Sequence, residues 1–320
     1  MGASKNGDEG WAMATPVRKA RVICNPQSGG GDYDPENVKS ELSEFEIEWV
    51  ETKEGGDARD IARDYDEGLL IVIGGDGTVN EAVNGLGQAG FPEGVTLAIL
   101  PTGTGNDLAQ TLALSEDPDI AEDTIRQGRV RTLDTARVRS SGLPEKFFIN
   151  VATGGFGAEA SSLNDEETKS RWGKLSYLRA TLEAGREFEV RDTLLTLDGE
   201  ERTMQAVNVS IGNCRYAGGG WLAAPNANPE DGLLDVVVIE SLGMKRMLGL
   251  LPAAFAEYDY LATDGVFHTR AKSIRVETRP KGLEFTMDGE VIGDEPAEFE
   301  VVPGALKVIV GAEYVAEPEG

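Results

Sequence analysis

Mostly apolar segments of strand length alternate with segments of helical periodicity over the first part of the chain. The strand-like segments are 20–24, 45–51, 69–73 and 95–100. Apolar residues that recur every three or four positions predict helices at 35–43, 57–65, 78–88, 105–113 and 121–127. Apolar strands that alternate with helices are typical of a parallel sheet covered on both faces. We therefore predict a doubly wound α/β domain over residues 18–133.

The pattern changes after residue 133, where strand-like segments follow one another with Gly, Pro and Asp between them. These segments are 134–139, 146–152, 192–198, 204–212, 234–240, 272–277, 283–287, 298–302 and 306–310. Such a succession predicts a β-rich second domain, a sandwich or an incomplete barrel, over residues 134–312. Helical periodicity interrupts it at 169–186 and 244–261. Outside the two domains we predict a flexible N-terminal tail, 1–17, and an acidic tail, 313–320.

The turn Gly74-Gly75-Asp76-Gly77-Thr78 stands between the strand at 69–73 and the helix that follows it. Its glycines let the backbone adopt positive φ and approach a bulky ligand closely. Thr78 and Glu81 have capping-box spacing, which predicts a helix that begins at Thr78. Because the free N–H groups and the dipole of a helix N-terminus favour an anion, the turn is predicted to bind phosphate. An ordinary tight turn between a strand and a helix is the alternative.

Two more polar, glycine-rich turns follow strands of the same domain. One is 25–31, after the strand at 20–24, and the other is 101–107, after the strand at 95–100. The carboxyl ends of parallel strands meet at one edge of a sheet, and open α/β sheets bind their ligands there. The three turns are therefore expected to line one site.

The composition restricts the classes of function. The chain of 320 residues has 56 acidic and 30 basic residues, and its formal net charge is −26. That charge opposes binding to nucleic acid, whose phosphates require Lys and Arg. His268 is the only histidine, which excludes histidine-based metal sites and Ser-His-Asp catalysis. Cys24 and Cys214 are expected to be buried free thiols.

No segment of the sequence predicts export or a membrane span. The stretch Met1–Thr15 has no apolar core of the kind that a signal peptide needs. No apolar run reaches the roughly 18 residues needed to span a bilayer. We therefore expect a cytoplasmic protein.

Four motifs together indicate a family resemblance. They are NPQSGGG at 25–31, GGDGTVNEAVNGL at 74–86, PTGTGNDLA at 101–109 and Asp288-Gly289-Glu290. In this order they resemble the catalytic region of the diacylglycerol and sphingosine lipid kinases, and most closely the soluble bacterial and archaeal enzymes. The resemblance extends from about Arg18 to about Val310. It implies an α/β domain of the NAD-kinase and diacylglycerol-kinase type and a β-sandwich domain, with the nucleotide in the cleft. In this family the last strand can return to the first domain.

The resemblance implies an ATP- and Mg²⁺-dependent enzyme of phospholipid biosynthesis. Such an enzyme transfers the γ-phosphate of ATP to a hydroxyl of diacylglycerol or a related glycerolipid, at or extracted from the inner membrane face. Glu290 is implied to be the general base that accepts the proton of that hydroxyl. Asp76 is implied to act with it, since a carboxylate beside a bound phosphate needs a cation between them.

The same resemblance implies a set of binding residues. Those implied to contact the nucleotide are Asn25, Thr52, Gly74, Gly75, Asp76, Gly77, Thr78, Val79, Asn80, Gly103, Thr104 and Asn106. The acids implied to form a network near the metal are Asp76, Asp107 and Asp134. A second, structural Mg²⁺ is implied to bind the carboxylate of Asp231 and the backbone carbonyls of Asn228 and Leu233, an oxygen-only set that suits a hard cation.

Simpler explanations of the same acids stay open on the residues alone. Asp107 is also placed to be the helix-start partner of Thr104, three residues before it. Asp231-Gly232 is also an ordinary hairpin turn, and Asp288-Gly289 is another.

Three alternative functions stay open as well. GGDGT is shared with NAD kinases, which phosphorylate a soluble substrate. The segment Gly155–Ala160 fits G-x-G-x-x-A, a dinucleotide-binding pattern that requires a βαβ unit, although a charged stretch and a predicted helix follow it. A non-catalytic nucleotide-binding protein is the third alternative. The sequence leaves the oligomeric state open, a homodimer included.

We predict that molar salt stabilises this protein, because the −26 net charge makes the folded chain repel itself at low ionic strength. The Debye length falls to about 3 Å in 1 M salt, which screens that repulsion. The midpoint of thermal unfolding should therefore rise between 0.1 M and 2 M KCl. The same acidic composition suggests a salt-adapted, halophilic organism. A midpoint that stays constant or falls over this range would contradict that hypothesis.

Overall fold

The computed structural model describes residues 18–28, 33–140, 143–155, 189–241, 260–287, 290–293 and 296–318, with backbone only at 290–293. The helices are α1 (Pro35–Glu41), α2 (Asp57–Arg63), α3 (Asp76–Gln88), α4 (Asp107–Thr111) and α5 (Pro118–Gln127). The strands of the first half are β1 (Arg18–Cys24), β2 (Phe45–Glu51), β3 (Glu67–Gly74), β4 (Gly94–Pro101), β5 (Val130–Ser140), β6 (Lys146–Phe148) and β7 (Val151–Gly155). Those of the second half are β8 (Arg191–Leu197), β9 (Glu200–Gly212), β10 (Tyr216–Ala217), β11 (Trp221–Leu222), β12 (Leu234–Glu240), β13 (Val266–Ala271), β14 (Ser273–Arg279), β15 (Phe285–Met287), β16 (Glu290–Gly293) and β17 (Ala297–Ile309).

The first domain is built on four parallel strands in the order β2-β1-β3-β4. The side chains of successive β3 residues point to opposite faces of this sheet. Leu70 and Val72 pack in a core with residues of α2, α3 and α4, whereas Ile71 and Ile73 pack in a core with residues of α1 and α5. Both faces are covered by helices, which confirms the predicted doubly wound arrangement.

The second domain is an antiparallel sheet that folds back on itself. The strand order is β16-β15-β7-β9-β8-β14-β17, with β5 beside β17 and β12 beside β9. Four strands separate β15 from β17 in this order, yet the rings of Phe285 and Phe299 are in edge contact at 5.2 Å. Phe148 of β6 also contacts Phe299, at 6.2 Å. Strands that are distant in the sheet therefore share one core, as in a β-sandwich, and the predicted fold class is confirmed.

Strand β17 belongs to both domains. Its first half pairs with β14, and Lys307 and Val308 near its end pair in parallel with Thr96 and Leu97 of β4. β5 pairs with β17 along most of its length, with an irregularity between Val302 and Leu306. The sequence predicts two strands here, 298–302 and 306–310, whereas the structure has one continuous strand.

Some predicted elements differ from the structure. The strand predicted at 146–152 is divided into β6 and β7, and the strands β10, β11, β13 and β16 were not predicted. The helices predicted at 169–186 and 244–261 lie outside the described residues, apart from Tyr260 and Leu261, which are not helical. The predicted tail 1–17 and the motif residues 29–31 also lie outside them. No helix in the described part of the chain is long and apolar enough to cross a membrane.

The predicted capping box is wrong. Helix α3 begins at Asp76, with Gly75 as its N-cap, two residues before the predicted start at Thr78. The Thr78 hydroxyl accepts a hydrogen bond from the Asn25 amide at 2.9 Å, and the Glu81 carboxylate accepts one from the Gly56 N–H at 2.9 Å. Both side chains therefore join α3 to the neighbouring turns and not to its own N-terminus.

Helices α2 and α3 are so close that Gly85 has no room for a side chain. A Cβ there would collide with the backbone carbonyl of Arg59 and lie 2.9 Å from the Arg63 nitrogen. We predict that Gly85→Ala lowers the free energy of unfolding by about 1–3 kcal/mol, the usual cost of overpacking. At an unhindered helical position the same change stabilises by about 1 kcal/mol. Gly77→Ala, in the same helix with no atom within 4 Å of the added Cβ, is the matched control for denaturant unfolding. Equal stability of the two variants would contradict the close approach.

Candidate active site

The two glycine-rich turns after β3 and β4 touch each other through their backbones. A Cβ on Gly103 would lie 2.6 Å from the Cα of Gly75, and a Cβ on Gly75 would lie 3.0 Å from the Cα of Gly103. The Thr102 N–H donates to the Gly74 carbonyl at 3.1 Å. Only glycine fits at this contact, which explains why the two motifs need glycine at these positions.

The contact places Asp76 at the N-terminus of α4. The Leu108 N–H lies 3.4 Å from Asp76 Oδ1, and the N–H groups of Asn106 and Asp107 also face this carboxylate. Burial, which is the larger cause, and the charge of Asp107 together raise the pKa of Asp76 to about 7. The N–H groups oppose this shift. A half-buried carboxylate that faces another carboxylate beside two glycine turns is suited to bind a cation.

Asp107 is held by the second domain. Its carboxylate accepts hydrogen bonds from the Gly219 N–H at 2.9 Å and from the Gly220 N–H at 2.6 Å. These N–H groups lie in the loop between β10 and β11, where Gly218, Gly219 and Gly220 have φ values of 60°, 84° and 92°. Three successive residues with positive φ require glycine.

The alternative role of Asp107 as partner of Thr104 is therefore wrong. Asp107 is the first residue of α4, with Asn106 as its N-cap. Gly219 and Gly220 were not among the predicted site residues, although three consecutive glycines at 218–220 signal an unusual backbone.

The other implied nucleotide-binding residues of the first domain lie around the same sheet edge. Asn25 and Thr52 follow the carboxyl ends of β1 and β2, and the Thr52 N–H donates to the Cys24 carbonyl at 2.9 Å. Gly77 is exposed, and a Cβ there would meet no atom within 4 Å. The backbone above Gly77 is therefore open to a ligand, whereas Val79 and Asn80, one turn further along α3, are buried.

The turn after β4 is fixed by Asn106. This residue has a φ of 49°, and its Oδ1 accepts a hydrogen bond from the Gly103 N–H at 2.9 Å. Its Nδ2 donates to the Gly103 carbonyl at 2.7 Å and to Glu116 at 2.8 Å. Thr104 lies between them and is exposed. Asn106 therefore shapes the turn, and Thr104 is the side chain that is open to a ligand.

Asp134 lies apart from the pair of Asp76 and Asp107. Its two oxygens accept hydrogen bonds from the Gly232 and Gly304 N–H groups, both at 2.7 Å. Burial raises the pKa of Asp134, and the acids that add to the shift are Asp231 and Glu230. The three-acid network is thus divided: Asp76 interacts with Asp107, and Asp134 interacts with the loop at 228–233.

That loop contains Asn228, Asp231 and Leu233, the residues implied to hold a structural Mg²⁺. The Asn228 carbonyl accepts a hydrogen bond from the Asp231 N–H at 3.4 Å. Asp231 accepts one from the Leu233 N–H at 2.9 Å and an ion-paired one from Arg270 at 3.2 Å. Among the described residues no group of three acidic, His or Cys side chains is placed to hold a metal ion. One carboxylate with backbone carbonyls suits a cation that keeps most of its water ligands, and Arg270 competes with it for Asp231.

Glu290 is the first residue of β16, and its backbone pairs with Met287 of β15. Its side chain, together with Asp288 and Gly289, lies outside the described part of the structure. The competing motif begins at Gly155, the last residue of β7, and its other residues also lie outside it. Because β7 is antiparallel to both β9 and β15, it cannot be the first strand of a parallel βαβ unit. The dinucleotide reading of this motif is therefore wrong.

Comparisons with known proteins identify the family. A model described as the diacylglycerol kinase catalytic domain matches residues 19–138, and one described as the YegS C-terminal NAD kinase beta sandwich-like domain matches residues 150–310. A diacylglycerol kinase of Mycobacterium tuberculosis is 33% identical over 92% of this chain and 95% of its own length. The chain belongs to the diacylglycerol kinase family. Membership confirms the predicted resemblance and an ATP-dependent phosphotransferase with an alcohol group as acceptor.

Other members of the family are similar over comparable lengths. A protein of Alcanivorax borkumensis named as a YegS-like lipid kinase is 32% identical over 91% of this chain and 96% of its own length. A crystal structure of a Bacillus anthracis diacylglycerol kinase superimposes with a TM-score of 0.72 at 27% identity, over 94% of this chain and all of that one. Both domains of the fold are therefore shared with the family.

The raised pKa of Asp76 gives a pH-dependent prediction. Between the ordinary pKa of about 4 and the folded value of about 7, the folded chain binds more protons at Asp76 than the unfolded chain does. Wild type should therefore lose stability relative to Asp76→Asn as the pH rises from 4 to 7. Urea unfolding of both proteins at each pH, with a chelator present, measures this difference.

Asp57 supplies a control of opposite sign. The N–H groups of Lys53 and Glu54 lower the pKa of its carboxylate. Wild type should therefore gain stability relative to Asp57→Asn as the pH rises to about 4, with no further change up to 7. A difference between wild type and Asp76→Asn that is the same at pH 4 and pH 7 would contradict the raised pKa of Asp76.

Proposed function

We propose that this kinase transfers the γ-phosphate of ATP to a hydroxyl of diacylglycerol or a related glycerolipid, with Mg²⁺ as cofactor. The lipid is met at, or extracted from, the inner membrane face. The observation on which the proposal rests is the position of Asp76, a carboxylate held where two glycine turns touch, beside the open backbone at Gly77. Phosphoryl transfer needs positioned phosphates and neutralised charge more than covalent chemistry. This arrangement supports both needs.

In this proposal the first domain binds the nucleotide at the carboxyl edge of its parallel sheet. The N–H groups at the start of α3 and the exposed Gly77 receive phosphate oxygens, because a helix N-terminus favours anions. Thr52, Thr104 and the Asn25 turn border the same nucleotide. When bound, Mg²⁺ would neutralise part of the charge of the phosphates. Asp76 is the residue that would hold it, and Asp231, with the carbonyls of Asn228 and Leu233, would hold the structural ion.

The acceptor side of the reaction is assigned to the second domain. Glu290 accepts the proton of the lipid hydroxyl as that oxygen attacks the γ-phosphate. This assignment is supported by the motif Asp288-Gly289-Glu290 and by the backbone position of Glu290, which is the first residue of β16 and pairs with Met287 of β15. Asp107 and Asp134 are proposed to act indirectly. Asp107 orients the N-terminus of α4, whose N–H groups face the Asp76 carboxylate, and Asp134 orients the loop that contains Asp231.

The test is transfer of labelled γ-phosphate from ATP to a panel of acceptors, with Mg²⁺, in low and in molar salt. The panel contains diacylglycerol, an ether-linked glycerolipid, a sphingoid base, undecaprenol and NAD. We predict a labelled glycerolipid with wild type. Glu290→Gln should lower kcat about 10²-fold or more, the usual contribution of a general base. Asp76→Ala should abolish labelling.

Glu284→Gln is the matched control, because Glu284 is an exposed residue next to β15 and the charge change is the same. Its kcat should equal that of wild type. Label on NAD alone would replace the lipid assignment by a soluble acceptor. ATP binding without label on any acceptor would replace it by a nucleotide-binding protein without catalysis. Full activity of Glu290→Gln would overturn the role of Glu290 only.

A further inference from the structure

Asn84 is a buried amide in the middle of α3 that bonds to the second domain. Its Oδ1 accepts a hydrogen bond from the Phe147 N–H at 2.9 Å, and its Nδ2 donates to the Phe147 carbonyl at 2.7 Å. The side chain thus pairs with β6 as the backbone of a neighbouring strand would. Because the N–H needs an acceptor and the carbonyl needs a donor, these two bonds determine which end of the amide is oxygen.

The orientation of Asn84 determines that of Asn80, one turn earlier in α3. Asn84 Nδ2 lies 3.2 Å from Asn80 Oδ1 and 3.0 Å from the Asn80 carbonyl. A donor at that position selects the oxygen of the Asn80 amide as its partner. The two N–H donors of Asn80 then point away from Asn84. Within the part of the chain that the structure describes, these donors have no acceptor.

The helix is packed tightly where Asn84 lies. A Cβ on Gly87 would collide with the ring of Phe147, so α3 and β6 are in direct contact there. Phe91 closes the same contact, with its ring in edge-to-face geometry 5.3 Å from that of Phe147. The Asn84 amide is buried, hydrogen-bonded and closely packed between α3 and β6, so it has one orientation available. Through its donor to Asn80 Oδ1, it also holds the Asn80 amide in one orientation.

We propose that Asn84 is a positioning residue for the nucleotide. It fixes the Asn80 amide against β6 of the second domain, so that the Asn80 N–H donors face an oxygen of bound ATP. The inference rests on the proposed function, in which residues 74–80 bind ATP. Asn84 itself does not touch the nucleotide. Its function is to prevent the amide of Asn80 from turning its oxygen toward the phosphates.

Titration calorimetry with ATP and Mg²⁺, without lipid, tests the proposal on the full chain. The variants are Asn80→Ala, Asn84→Asp and the double variant. Asn84→Asp keeps the acceptor for the Phe147 N–H but removes the donor to the Phe147 carbonyl and to Asn80, so the Asn80 amide reverses. Each single variant should weaken ATP about tenfold, the equivalent of one hydrogen bond to a charged group. The double variant should be no weaker than either single one.

Steady-state kinetics should show that the Asn84 variants affect the binding of ATP and not the chemical step. In the glycerolipid assay, Asn84→Asp should raise KM for ATP about tenfold, with kcat within about twofold of wild type. Asn84→Ala is the second variant if Asn84→Asp does not fold, since Ala is the best helix former. Asn213→Ala is the matched control: Asn213 is buried, and its amide donates to the carbonyls of Asp134 and Ile149 at 3.0 and 2.9 Å. It should lower stability without changing the affinity for ATP.

The outcomes separate this inference from the proposed function. A wild type that does not bind ATP would overturn both. A wild type that binds ATP and labels lipid, with Asn84 variants that bind ATP equally well, would overturn the inference alone. Additive losses in the double variant would mean that Asn84 does not act through Asn80. Equal weakening by Asn213→Ala would mean that a general loss of stability, and not the orientation of Asn80, weakens ATP binding.

Discussion

The contact between the backbones of Gly75 and Gly103 is the constraint on which the site depends. No side chain fits between the two turns, because each added Cβ would lie within 3.0 Å of the other glycine's Cα. The contact brings the start of α3 beside the start of α4 and thereby places the Asp76 carboxylate over the N–H groups of α4. A larger residue at either glycine would separate the two helix starts, and the carboxylate would lose its position as well as its hydrogen bonds.

The distribution of hydrogen-bond donors explains the different environments of two adjacent acids. The glycine loop of the second domain gives Asp107 two N–H contacts, whereas the N–H groups that face Asp76 come from the start of α4, with Leu108 at 3.4 Å, and Asp76 also faces the charge of Asp107. The charge of Asp107 therefore adds to the burial that raises the pKa of Asp76. A cation would lower the repulsion between the two carboxylates, and a further anion would raise it. The proposed phosphate and metal are therefore expected to bind beside Asp76 together and not separately.

The local sequence predicted those features that depend on local physics. Side chains of the apolar run at 69–73 pack into two cores because successive strand residues point to opposite faces of the sheet. The glycine turn follows this run because the backbone must turn there. Features that depend on distant partners were missed. The donors for Asp107 lie 112 and 113 residues away, and Thr78, with capping spacing, bonds instead to Asn25. The segment around Gly304 resembles a turn, but pairing with β5 on both sides keeps β17 continuous.

The course of β17 has a consequence for how the protein is made. Within the described residues, the outer edge of β4 pairs with Lys307 and Val308 of β17, the last strand of the second domain. During synthesis on the ribosome, β4 is therefore made before the strand that pairs with its outer edge, and this apolar edge is uncovered until β17 has been made. Exposed strand edges are sites of aggregation. The first domain is thus synthesised before the second but is completed only when β17 has been made, and it must stay soluble until then.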